Sequence, residues 1–149
     1  MNNDFYMEKC IKLAKLGMSL GEVPVGAAII IDNKIISESY SSSIMLNDPT
    51  AHAEIIAIRN ASKAVNNYRI LNSFLYTTLE PCIMCLGAIS EARIKKIIYG
   101  AKSEDNIELS DKILILKKHF KLDHIPEIIG GIREDECSAL LKGFFSKKR

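Results

Sequence analysis

The chain has 149 residues, 48% of them apolar and 26% charged, which is the make-up of an ordinary globular domain with enough chain for one buried core. A net charge of +2 is too small by itself to imply a polyanion partner. No apolar run approaches the roughly 20 residues that span a bilayer, and the opening M-N-N-D-F-Y-M-E lacks a basic segment followed by an apolar one. The expectation is a single cytoplasmic domain over 1–149, with no membrane and with reduced cysteines. Charge is uneven along it. Residues 1–92 carry 7 Lys and Arg against 9 Asp and Glu, a net −2, whereas 93–149 carry 13 against 9, a net +4.

In chain order, residues 4–20 place Phe5, Met7, Cys10, Ile11, Leu13, Ala14, Leu16 and Leu20 at helical spacing, ended by Gly17 and Gly21. The turn-like stretch from Glu22 to Gly26 enters an apolar run, 27–31. Asp32-Asn33-Lys34 signals a hairpin, and 35–38 returns. Residues 39–47 read as a loop. Asp48-Pro49 opens a second helix, with Asp48 as its cap and Pro49 in its first turn. Ala53, Ala57, Ala61 and Ala64 give that helix a small-residue stripe for close packing on a sheet. Residues 74–79 form a strand. Pro81 starts a third helix whose apolar body, 82–89, predicts burial on most sides. Residues 94–99 are a strand ended by Gly100, 109–120 a helix with a lysine-rich face, and 125–129 a short strand. Residues 134–145 are a closing helix with acids in its first turn and Lys147, Lys148 and Arg149 beyond its end, as the helix dipole favours. Strands alternating with helices predict a three-layer α/β domain.

Two stretches carry chemistry. His52 and Glu54 lie in T-A-H-A-E, and Cys82 and Cys85 lie in E-P-C-I-M-C, giving H-x-E followed by P-C-x-x-C. This is the pattern of zinc deaminases. Three protein ligands, His52, Cys82 and Cys85, leave the fourth position of a tetrahedral Zn²⁺ open for water, and no fourth ligand is evident nearby. Both ligand sets fall at predicted helix N-termini, where backbone N–H groups stabilise thiolate. Two thiolates and a neutral imidazole cancel the charge of the metal, so its water is only modestly acidified. Glu54, two residues after His52, is the base that this arrangement needs. It takes a proton from the water, returns it to a ring nitrogen and assists the departure of ammonia. Cys10 and Cys137 sit on apolar helix faces and read as core residues. His119 and His124, in a basic segment, read as surface residues.

Nearly the whole chain resembles the bacterial tRNA-specific adenosine deaminases. The similar stretches are E-V-P-V-G-A from Glu22, D-P-T-A-H-A-E-I from Asp48, N-Y-R from Asn67, L-Y-T-T-L-E-P-C-I-M-C from Leu75 and E-C-S-A-L-L-K-G-F-F from Glu136. The resemblance implies a cytidine-deaminase-like three-layer α/β/α sandwich around a central five-stranded mixed sheet. It also implies a homodimer, one Zn²⁺ per subunit on His52, Cys82 and Cys85, and Glu54 as proton shuttle. By the same resemblance Val25 and the Pro24 turn line the base pocket, while Phe144, Phe145 and the basic tail contact a tRNA anticodon stem-loop. The reaction implied is hydrolysis of the wobble adenosine to inosine.

The zinc motif does not select that substrate alone. Guanine and cytosine deaminases share D-P-T-A-H-A-E, and guanine deaminases also resemble C-L-G-A-I at Cys85. A free-base or nucleoside deaminase is therefore the alternative, and a nucleic-acid-binding module with structural zinc is a third reading that would need a fourth ligand. The entry turn and the F-F-x-K-K-R end favour RNA, since splayed bases need aromatic surfaces and phosphates need cations. Two positions depart from the family pattern. Ser41 stands where Asn is usual, and Ser103, in A-K-S-E-D-N-I, stands where Asp and a glycine-rich loop are usual.

Overall fold

The computed structural model describes residues 2–147. Its elements run α1 (Asn3–Ser19), β1 (Gly26–Ile31), β2 (Lys34–Tyr40), α2 (Ala53–Val65), β3 (Ser73–Leu79), α3 (Ile83–Glu91), β4 (Lys96–Ala101), α4 (Leu109–Phe120), β5 (Glu127–Ile129) and α5 (Glu134–Lys147). The strands form one sheet in the order β2-β1-β3-β4-β5. β1 is antiparallel to both of its neighbours, and β3, β4 and β5 are parallel. β2, β3 and β4 therefore run the same way, and their C-terminal ends share one edge of the sheet. In open α/β sheets that edge is where ligands bind.

Residue alternation on the central strands builds two apolar layers. Ala28, Ile30, Tyr76 and Ile98 face α1 and α5, meeting Met7, Cys10, Ile11 and Cys137. Ala27, Ile29, Leu75 and Ile97 face the other way, meeting Ala53, Ala57 and Ala61 of α2, Leu86 and Ile89 of α3, and Leu109 and Ile113 of α4. The result is the three-layer sandwich with a five-stranded mixed sheet. α1 crosses so close to β1 that a Cβ on Gly26 would overlap the Cys10 carbonyl. The β1–β2 hairpin turns on Asp32 and Asn33, both at positive φ (50° and 61°), as a two-residue turn matched to strand twist requires. Cys10 and Cys137 are buried in the core. His124 ties the segment before β5 to α3, its Nε2 lying 2.6 Å from the Ile94 carbonyl and its N–H donating to Ser90 Oγ.

Two local expectations are corrected. α2 does not open at Asp48-Pro49; it begins at Ala53, with extended His52 at its N-cap. Asp48 instead accepts hydrogen bonds from the N–H and hydroxyl of Thr50, at 2.9 and 2.7 Å, and faces Arg59 at 3.5 Å. The short aspartate side chain thus organises a turn ahead of the helix rather than the helix itself. The small-residue stripe also ends early: Ala53, Ala57 and Ala61 are fully buried, whereas Ala64 is exposed where α2 runs past the sheet.

Candidate active site

The loops leaving β2, β3 and β4 bring the chemical groups together. The loop after β2 carries Ser41 and ends in His52 at the N-cap of α2. The turn after β3 carries Glu80 and Pro81 and ends in Cys82 at the N-cap of α3, with Cys85 in the first turn. Neither His52 nor Cys82 uses its side chain to cap its helix, so both remain available to a ligand.

His52 Nδ1 lies 3.6 Å from each of the two sulfurs, which are 3.7 Å from one another. A tetrahedral zinc with bonds of ~2.3 Å to sulfur and ~2.0–2.1 Å to nitrogen spaces its ligands about 3.8 Å sulfur to sulfur and about 3.6 Å sulfur to nitrogen. The three atoms therefore outline one face of that tetrahedron. Among the described residues no other set of three His, Cys, Asp or Glu ligand atoms comes together in this way. The three side chains are placed to hold a zinc ion as a His-Cys-Cys set.

Electrostatics are consistent with thiolate ligation. The hydrogen bond from Cys85 is the main force bringing the Cys82 thiol down to about 5, with the N–H groups of Cys85 and Met84 and the His52 charge adding to it. Cys85 is pushed well up by that same sharing and by its burial. The Cys82 sulfur is thus the more easily ionised of the two, and binding of a divalent cation would favour the thiolate form of both. Glu54, the second residue of α2, is buried beside them. Burial raises its carboxyl to about 7, against the opposing pull of its own backbone N–H and of His52. A carboxyl held near neutrality both takes and gives a proton at neutral pH.

These groups open into a pocket of about 180 Å³ lined by Glu22, Val25, Ser41, His52, Glu54 and Cys82, among others. Pockets that enclose whole ligands run to ~300–1,000 Å³, so this one suits a single flat base, with the rest of its nucleotide outside. Val25 forms a buried wall, and its carbonyl accepts the Ser41 N–H at 3.0 Å. Leu79 belongs to this pocket and also to a larger adjoining groove of about 420 Å³, lined by Lys102, Ser103, Lys142 and Phe145 among others.

The aromatic pair near the C-terminus is divided. Phe145 lines the groove and is 50% exposed. Phe144 is not brought to it; it lines a separate depression between α1 and α5 with Lys15, Met18 and Leu140. Their rings meet edge to face at 5.4 Å. Lys147 is exposed at the end of α5, and the expected contributions of Lys148 and Arg149 fall outside the described residues.

Glu22 is one of the pocket residues that sequence reasoning passed over. Its buried carboxylate accepts the N–H groups of Ile44 and Met45, at 3.1 and 2.7 Å, and so holds the loop after β2 against the pocket. Its place in the E-V-P-V-G-A stretch was visible, but nothing local showed that an acid there would turn inward.

Comparison with known proteins agrees with this geometry. The family model for the cytidine and deoxycytidylate deaminase zinc-binding region matches residues 1–101. A tRNA-specific adenosine deaminase from Buchnera aphidicola subsp. Baizongia pistaciae is 47% identical, over 99% of this chain and 91% of its own. A solved structure from work on A-to-I editing at the wobble position of transfer RNA superposes with a TM-score of 0.84 at 36% identity, covering 92% of this chain and 99% of that one. A guanine deaminase from Bacillus subtilis is more distant, with a TM-score of 0.68 at 33% identity over 99% and 94% of the two chains.

Proposed function

The chain belongs to the family of cytidine and deoxycytidylate deaminases, and from that premise we propose that it converts the wobble adenosine of a tRNA anticodon loop to inosine. The observation that carries this reading is that a one-base pocket lined by His52, Glu54 and Cys82, with Cys85 Sγ beside His52 and Cys82, adjoins a groove lined by Lys102, Lys142 and Phe145. An RNA loop can insert one splayed base into the pocket while its neighbours stack and its phosphates meet cations outside.

His52, Cys82 and Cys85 would hold the zinc, which would supply activation of a water for attack. Val25 and the Ser41 backbone shape the pocket so that a base presents its amino-bearing carbon to the metal side. Glu54 removes a proton from the attacking water and delivers it to a ring nitrogen; it then takes the remaining hydroxyl proton and passes it to the amino group, which leaves as ammonia as the carbonyl forms. Its burial keeps bulk water from competing for that proton. In the groove, Phe145 offers a face for a neighbouring base, and Lys102 and Lys142 offer charge to the backbone.

Assembly as a homodimer belongs to the same reading. Ile44, Met45 and Leu46 after β2, and Ile83 at the start of α3 with 71% exposure, are large apolar side chains left in water, and a second copy would cover them. A cytoplasmic location accords with the tRNA substrate; among the described residues no helix is long and apolar enough to cross a membrane.

A second reading, a free-base deaminase, is favoured by the small pocket and by the likeness to a guanine deaminase. One experiment separates the two. Zinc-loaded protein is incubated with an anticodon stem-loop bearing wobble adenosine and, in parallel, with guanine, cytosine and adenosine. Inosine in the stem-loop is the expected product. Ammonia from a free base with an unmodified stem-loop would overturn the first reading in favour of the second.

A further inference from the structure

One lysine that lines neither cavity bonds a residue of each. Glu80, the last residue before Pro81-Cys82, is buried and lines the pocket. Its Oε2 accepts from Lys112 Nζ of α4 at 2.5 Å, and Ser103 Oγ is 3.0 Å away. The same ammonium donates to Ser103 Oγ at 3.0 Å and to Asp105 Oδ2 at 2.8 Å. Ser103 has a single hydroxyl proton to give, and Asp105 Oδ2, at 3.0 Å, competes for it with Glu80. One cation thus joins two carboxylates and a hydroxyl, and three of these four groups lie on α4 or on the 102–108 loop that precedes it. Lys102 and Glu108 close that loop across its ends at 3.3 Å. The Glu80 side chain is 3% exposed and that of Lys112 is 21% exposed, so solvent screens their pairing weakly.

We propose that Lys112 is a positioning residue, whose ammonium latches the 102–108 loop to Glu80 and so holds the partition between the base pocket and the groove for the neighbouring nucleotide. The proposal rests on the reading that the groove takes RNA. Without Lys112, Glu80 would face Asp105 with no cation between them. Repulsion would then lift Ser103 and Lys102 away from the groove. His52, Glu54, Cys82 and Cys85, at the starts of α2 and α3, have no part in this network. Loss of the latch should therefore weaken capture of the stem-loop more than it slows the chemistry.

The test compares wild-type, Lys112→Met and Lys112→Arg full-length, zinc-loaded protein on the stem-loop, with amide hydrogen exchange measured on the same samples. Lys112→Met is expected to raise KM about tenfold while kcat stays within about twofold. Exchange across 102–108 should quicken, with α2 and α3 unchanged, and Lys112→Arg should restore most of both effects. An unchanged KM overturns the proposal, as does a rise in exchange throughout the domain accompanied by equal losses in kcat and KM. If the wild-type protein leaves the stem-loop unmodified, the functional reading falls, and the latch is judged on exchange alone. Protection of 102–108 lost in Lys112→Met and regained in Lys112→Arg supports it; protection unchanged in Lys112→Met overturns it.

Discussion

The metal end of the pocket and the groove beside it are built on different principles. His52, Glu54, Cys82 and Cys85 come from the first residues of two helices whose bodies are pressed against the sheet by Ala53, Ala57, Leu86 and Ile89. Their positions are set by backbone and core packing, which deforms little. The groove is lined instead largely by the loop after β4 and by α5, and the side-chain ion pair of Lys112 with Glu80 lies beside it. In the proposed reaction the first region would determine which bond is broken, and the second whose base is presented. Rigid placement suits the reaction because proton transfer and metal ligation tolerate only small displacements. A looser periphery suits RNA, whose stacking and phosphate contacts are individually weak and additive.

The sharpest way to break the comparison is to remove a ligand. Cys82→Ala should leave the protein without its zinc and without measurable turnover, read by metal analysis beside the stem-loop assay. Retained zinc with full activity would show that the triad is not the centre. Next in size, Glu54→Gln keeps the shape and the metal but cannot shuttle the proton. A loss in kcat of about 10²–10⁴-fold at unchanged zinc content is expected, and an unaltered kcat would remove Glu54 from the mechanism.

Smaller effects should come from the groove. Phe145→Ala should cost about 1–3 kcal/mol in stem-loop binding, with zinc content unchanged. Phe144→Ala should cost less, because Phe144 lines the α1–α5 depression rather than the groove. Equal losses from the two substitutions would contradict that division. Smallest of all, deleting 146–149 should flatten the salt dependence of RNA binding by about 0.7 in the log–log slope for each phosphate contact removed. An unchanged slope would leave the tail with no electrostatic part in binding.

By itself, the sequence marked the elements and the candidate metal ligands. Apolar periodicity marked all five helices and the three-layer plan, and the short spacings of His52 to Glu54 and Cys82 to Cys85 marked the metal centre, because both are local patterns that survive without knowing what lies opposite. Local pattern misjudged Asp48, whose side chain had two nearby donors to choose from and took Thr50 in place of a helix end. The tertiary structure alone decided what depends on distant segments meeting. It turned Glu22 inward onto the N–H groups of Ile44 and Met45, sent Phe144 and Phe145 to different depressions, and brought Lys112 from α4 to Glu80 beside the pocket. A charged residue in sequence is equally compatible with solvent and with a buried partner. Only the fold, by removing water from one side of Glu80, makes the ammonium beside it necessary.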